Sequence, residues 1–167
     1  TWRPLLPAIR ADGHKYTRGH AVVVSGPSEC TGAARLGARG ALRVGAGLVT
    51  VASPRTAFAI NAAQLTAIMI DPFDAPDGLE KVLEDKRRNA VLIGPGAGVS
   101  AATRTMVRTV LASGPAAVLD ADALSSFGAG QTDDATSLGF LRRAKAEAPQ
   151  SPQALFAAIA EKAERPV

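Results

Sequence analysis

Residues 91–98 read VLIGPGAG, an apolar run that stops at three glycines around a proline. A short apolar run bounded by such a turn reads as a buried strand. Working outward, runs of the same kind recur as AVVVSG (21–26), LVTVAS (48–53), AIMIDP (67–72), AVLIGP (90–95) and AAVLDA (116–121). They lack polar alternation, as expected for strands buried on both faces. Helical stretches separate them. The clearest is TGAARLGARGALRVGAG (31–47), where Thr31 is placed to cap and Gly45 or Gly47 to terminate. Others are PRTAFAINAAQL (54–65), APDGLEKVLEDK (75–86) and SAATRTMVRTVLAS (100–113). Alternating strand and helix predicts an α/β fold, a mostly parallel sheet with helices on both faces joined by right-handed crossovers.

That architecture locates the chemistry, because open parallel sheets bind ligands beyond the carboxyl ends of their strands. Those ends are Gly26-Pro27-Ser28, Ser53-Pro54, Asp71-Pro72, Gly94 to Gly98, and Asp120 with Asp122. Glycines and carboxylates therefore share one edge of the sheet. A helix starting just beyond GPGAG is expected to offer backbone N–H groups to an anion. A glycine turn serving only tight geometry is the competing reading. The dinucleotide fingerprint is incomplete, since Val99 stands where the third small residue belongs, and the chain has no Walker A loop. In DADAL (120–124), Asp122 suits a helix N-cap while Asp120 points to the ligand edge.

The 167 residues carry a net charge of +4, with the 19 basic residues spread along the chain. Only 4% are aromatic, too few for the stacking platforms of nucleic-acid binding. Apolar stretches such as 44–53 are short of the roughly 20 residues a membrane span requires. Cys30 is the only cysteine, which excludes an internal disulfide and favours a cytoplasmic address. HKYTRGH (14–20) brings two histidines, a lysine and an arginine to the start of the first strand. No third metal ligand accompanies the histidines, and Lys15 and Arg18 are better suited to hold a phosphate; a solvated basic loop is the alternative. After Asp122 the pattern loosens: 128–151 reads as a loop or insertion with a helical piece at 138–148, and an amphipathic helix follows at 152–164. Both ends read as cut, so further residues are expected before Thr1 and after Val167.

Taken together, HKYTRGHAVVVSG, TGAARLGARGALRVGAGLVTVASP, NAVLIGPGAG and VLDADAL, in this order and spacing, resemble the nucleotide-dependent NAD(P)HX dehydratases of the ribokinase-like superfamily. The resemblance covers 14–127 and implies that 1–167 is the N-terminal portion of one such domain. That family repairs NADH and NADPH damaged by hydration of the nicotinamide ring. Hydroxide leaves poorly, so ADP or ATP, with Mg2+, phosphorylates the ring hydroxyl and phosphate departs with help from the ring nitrogen. Phosphoryl transfer demands positioning and charge stabilisation above all. By resemblance, Ala33 and Gly96 line the NAD(P)HX site, Gly94, Gly98 and Asp120 form the surrounding wall, and Lys15 faces phosphate. No metal ligand is assigned. The catalytic residues and the second glycine-rich loop are expected beyond Val167. An NAD(P)HX epimerase domain, fused or separate, and a homo-oligomer are further implications. A hydroxyethylthiazole kinase-like small-molecule kinase and a truncated, non-catalytic dinucleotide-binding domain are the alternatives. On the dehydratase reading, Gly96→Val is expected to abolish dinucleotide binding while leaving the fold largely intact.

Overall fold

The computed structural model describes residues 13–128. Five strands, β1 (His20–Val24), β2 (Leu48–Pro54), β3 (Met69–Phe73), β4 (Arg88–Ile93) and β5 (Ala116–Leu119), form one parallel sheet in the order β3-β2-β1-β4-β5. The helices are α1 (Gly32–Val44), α2 (Arg55–Gln64), α3 (Leu79–Leu83), α4 (Ala101–Ser113) and the short α5 (Asp122–Ser125). Because β1 lies at the centre, the chain steps outward to β2 and β3, crosses back, and steps the other way through β4 and β5. Right-handed crossovers then put α1 and α2 on one face and α3 and α4 on the other. The core divides accordingly. Val23, Val49 and Val51 pack with Ala34 and Ala38 of α1, whereas Val22, Val24, Val91 and Ile93 pack with Leu79, Val82, Met106, Val107 and Val110.

Local chemistry sets the element ends. Ser100 caps α4 by accepting the Thr103 N–H at 3.1 Å, and Gly45 closes α1 in the left-handed region. Gly47 does not act as a terminator. A Cβ there would stand 1.6 Å from the Lys15 carbonyl oxygen, so it admits the 3-10 turn of Lys15–Arg18 beneath the start of β2. Thr31 occupies the N-cap position of α1, yet its side chain makes no capping bond. The helix expected at 75–86 shrinks to Leu79–Leu83, because residues 74–78 form a turn in which Gly78 N–H donates to the Asp74 carbonyl at 2.7 Å. Burial on both faces holds for β1 and β2 but not for the edge strand β5, where Val118 is 49% exposed. The elements expected at 138–148 and 152–164, and the boundary at 128–151, lie outside the described residues except for Gly128. No helix among the described residues is long and apolar enough to cross a membrane.

His20 is not free to bind a metal. Its ring is buried, with Nε2 2.7 Å from Thr50 Oγ1, and its backbone N–H donates to Asn89 Oδ1 at 3.0 Å. Burial pushes its pKa down from the usual value, aided by Arg88 and Arg87 and opposed by Asp85. The unfolded chain therefore binds more protons than the folded one below about pH 6.5, so this residue's stabilisation is complete above that pH and lost as pH falls through the folded pKa. The thermal midpoint is expected to fall more steeply between pH 7.5 and 5 for the native chain than for His20→Gln. Parallel pH profiles would show that the proton is taken up elsewhere.

Candidate functional site

Three loops meet at the carboxyl edge, where the strand order reverses between β1 and β4. Backbone approach is closest there. A Cβ on Gly26 would lie 1.7 Å from the Gly96 carbonyl oxygen, one on Gly94 1.8 Å from the Asp120 carbonyl oxygen, and one on Gly96 2.7 Å from the Cys30 carbonyl oxygen. Gly94, Gly96 and Gly98 also all take positive φ. The loops after β1, β4 and β5 are thus stacked backbone on backbone, which no residue with a side chain permits at Gly26 or Gly94. This overturns the expectation that Gly96→Val spares the fold, since the new side chain meets protein before any ligand. Gly98 differs: it is exposed, and nothing lies within 4 Å of the Cβ position.

Behind these loops sits a buried polar knot. Asn61 of α2, fully buried, donates from Nδ2 to Ser25 Oγ at 3.1 Å and to Ser53 Oγ at 3.0 Å. The two hydroxyls in turn donate to the carbonyls of Gly26 and Pro54, each at 3.1 Å. One amide therefore ties the carboxyl ends of β1 and β2 together, although its own Oδ1 is buried without a partner. An asparagine inside the otherwise apolar FAINAA (58–63) is the signal in the sequence.

The backbone donors beyond the glycine turn are largely spent within the protein. Ala97 N–H donates to the Gly94 carbonyl at 2.9 Å, Gly98 N–H to Asp122 Oδ2 at 2.9 Å, Ser100 N–H to Ser126 Oγ at 3.2 Å, and Thr103 N–H to Ser100 Oγ. The start of α4 is consequently not the open anion receptor expected of it. The start of α1 is more open, for its first turn has neither a side-chain cap nor an acidic residue. Asp122 is not the N-cap of α5 either. Ala121 holds that position with φ 44°, and Asp122 opens the helix while its carboxylate reaches back to the glycine loop.

The structure brings together Ala33, Gly94, Gly96, Gly98 and Asp120. Ala33 lies in the first turn of α1, just after the Cys30 carbonyl that abuts Gly96, and the Asp120 carboxylate is exposed at the end of β5. Lys15 is not brought to them. Its 3-10 turn precedes β1, at the amino edge, so the length of the five-residue strand, roughly 16 Å, separates it from the glycine loops. There its ammonium lies 5.3 Å from the centre of the Tyr16 ring, which Arg87 approaches at the same distance. A concavity of about 500 Å³ between α3 and α4, bordered by Glu80, Lys86, Arg108 and Ser113, also lies apart from the three loops. Among the described residues no group of three or more His, Cys, Asp or Glu could hold a metal ion.

The sequence profile of the NAD(P)H-hydrate dehydratase family matches residues 21–137. The bifunctional NAD(P)H-hydrate repair enzyme Nnr of Coxiella burnetii is 38% identical over 122 residues, 73% of this chain and 25% of the relative. The ADP-dependent (S)-NAD(P)H-hydrate dehydratase of Bacillus subtilis is 28% identical over 126 residues, 74% of this chain and 44% of that protein. Among solved structures, the B. subtilis ADP/ATP-dependent NAD(P)H-hydrate dehydratase co-crystallized with ATP/Mg2+ superposes with a TM-score of 0.62 at 29% identity, covering 73% of this chain and 44% of that one. A ribokinase-like superfamily protein of Enterococcus faecalis, at 24% identity and a TM-score of 0.65, shares the fold and covers 79% of this chain and 48% of its own. The chain thus spans about a quarter of the length of the repair enzyme and less than half of each solved structure.

Proposed function

The chain belongs to the NAD(P)H-hydrate dehydratase family, and from that premise we propose that residues 13–128 form the substrate-side wall of an enzyme that uses ADP or ATP to return hydrated NADH or NADPH to NAD(P)H. One observation carries the reading: Gly26, Gly94 and Gly96 stack three loops where the strand order reverses, leaving Gly98 exposed against Asp122 on the edge that also carries Asp120 and the first turn of α1. Bare backbone lets a large dinucleotide come close, and the uncapped N–H groups at residues 32–34 suit one of its phosphates. Ala33, Gly94, Gly96, Gly98 and Asp120 are the residues assigned to this wall.

We assign the phosphoryl donor and its Mg2+ to the part of the enzyme outside 13–128, in keeping with the match to only 44% of the solved dehydratase co-crystallized with ATP/Mg2+. The metal, where bound, neutralises charge on the transferred phosphoryl group. Within the wall the protein's own work is to bind and orient the ring so that its hydroxyl meets the donor. The curated relative from C. burnetii is bifunctional, and an NAD(P)HX epimerase activity, fused or separate, fits beside this one.

Titration of the chain with NADPHX tests the assignment. Ala33→Leu keeps a good helix former while filling the space over the first turn, and should weaken binding at least about tenfold, the cost of one lost charge-assisted hydrogen bond. Lys15→Ala, at the far edge, should change affinity less than about twofold. The reverse pattern would move the site to the amino edge and discard this wall.

A further inference from the structure

The glycine loop is held from outside itself. Gly98 N–H donates to Asp122 Oδ2 at 2.9 Å, across 24 residues of sequence. The same two segments are joined a turn away, where Ser126 Oγ accepts from Ser100 N–H at 3.2 Å and the Ser126 carbonyl accepts from Arg104 Nη1 at 3.1 Å. They are joined again at the strand ends, where Asp120 N–H donates to the Ile93 carbonyl at 3.1 Å. These bonds differ in setting. Ser126 is fully buried beneath the loop, whereas the Gly98–Asp122 bond is exposed at the tip, where Gly98 has open space on its Cβ side. Backbone pairing and Ser126 therefore fix the base of the loop, while its tip is held from two sides: Thr103 Oγ1 donates to the Gly98 and Ala97 carbonyls at 2.5 and 3.3 Å, and Asp122 accepts the Gly98 N–H. Ala121, directly before Asp122, takes φ 44° and ψ −114°, a conformation that side chains of L-residues rarely adopt and that persists only when the surroundings impose it.

We propose that Asp122 is a positioning residue of the dinucleotide site: its carboxylate orients the Gly98 peptide and so sets the face of the glycine loop that the ligand meets. The inference rests on the reading of this edge as the substrate wall, but the bond itself can be tested without ligand. A second consequence follows from charge. With its N–H occupied by a carboxylate, the Gly98 peptide turns no donor toward a phosphate, and the Gly98 and Ala97 carbonyls accept from Thr103 Oγ1, so the loop receives the dinucleotide through its bare surface.

Two variants separate the role from simple stabilisation. Asp122→Asn retains an acceptor for the Gly98 N–H, and Asp122→Ala removes it. Amide exchange at Gly98, followed by NMR in the free protein, should speed up at least about tenfold in Asp122→Ala and stay near native in Asp122→Asn, as for the loss and retention of one hydrogen bond to a charged group. NADPHX affinity should fall about tenfold in Asp122→Ala and remain within about threefold in Asp122→Asn, with exchange at the buried Val22 and Val107 amides unchanged in both. Native affinity in Asp122→Ala overturns the proposal, as does an Asp122→Asn variant that loses affinity while protecting Gly98. Unchanged Gly98 exchange in Asp122→Ala overturns it without reference to any ligand. If the native chain binds no NADPHX while Gly98 responds as described, the dinucleotide reading fails, the proposed role in ligand positioning fails with it, and the loop contact alone stands.

Discussion

Residues 1–167, incubated with NADPHX and either ADP or ATP, are expected to restore no dihydronicotinamide absorbance. A polypeptide that adds roughly a hundred residues to complete a single domain of this class is expected to do so. The reason lies in what the described residues supply. Around the three loops they present backbone, exposed carboxylates at Glu29 and Asp120 and a carboxylate at Asp122 already bonded to Gly98, with no group of three or more His, Cys, Asp or Glu that could hold a metal ion. Phosphoryl transfer needs oriented donors for the charge on the phosphoryl group and a group to take the proton. Losing the first typically costs about 100- to 1000-fold and losing the second a further 100- to 10,000-fold or so. The solved dehydratase that superposes here has more than half of its length outside the match, since 44% is covered. Robust turnover by residues 1–167 would show that the donor site is built from this chain after all. Activity absent from both polypeptides would remove the dehydratase reading of this protein.

Gly94→Ala is expected to be among the most destabilising single methyl additions in the chain, and Gly98→Ala a mild one. Both residues hold positive φ, 130° and 81°, so each substitution carries left-handed strain of about 1–2 kcal/mol. At Gly98 the cost ends there, because the Cβ enters open space. At Gly94 the same Cβ would sit 1.8 Å from the Asp120 carbonyl oxygen and 2.8 Å from Ala123 Cβ, and neither is the yielding end of a flexible side chain. Overpacking adds about 1–3 kcal/mol or more, a large part of the roughly 5–15 kcal/mol that holds a domain together. Thermal or urea unfolding of the two variants decides the matter. Equal midpoints would mean that β5 and the glycine loop are not packed as described. Because Gly98→Ala leaves the stacking intact, any loss of ligand affinity in that variant reports on the exposed tip of the loop.

Much of this fold is legible in the sequence because its signals are local. Runs such as AVVVS and AVLIG are uniformly apolar where a strand is covered on both faces, and glycine or serine marks where helices such as α1 and α4 begin or end. Legibility fades where a local pattern has several outcomes. APDGLEKVLEDK has a helical rhythm, yet the turn at residues 74–78 takes its first residues and leaves only Leu79–Leu83. Thr31 and Asp122 both have the chemistry of a cap. One makes no capping bond, and the other spends its carboxylate on a different loop. The role of the buried Asn61 is not legible in the sequence, because composition records its polarity but not that two serines, 36 and 8 residues away, converge on it.

The amino-acid sequence by itself determined the alternation of strand and helix, the parallel sheet, and the edge of that sheet where glycines and aspartates gather. Periodicity and turn chemistry are enough for this, since each depends on residues a few positions apart. Only the tertiary structure decided which of those residues meet. It set Gly26 against Gly96 and Gly94 against Asp120, bound Gly98 to Asp122, and left Lys15 at the opposite edge, a strand's length away. Those pairings follow from strand order and crossover handedness, which fix the distance between residues that are 24 or 70 positions apart. No pattern read along the chain contains that distance.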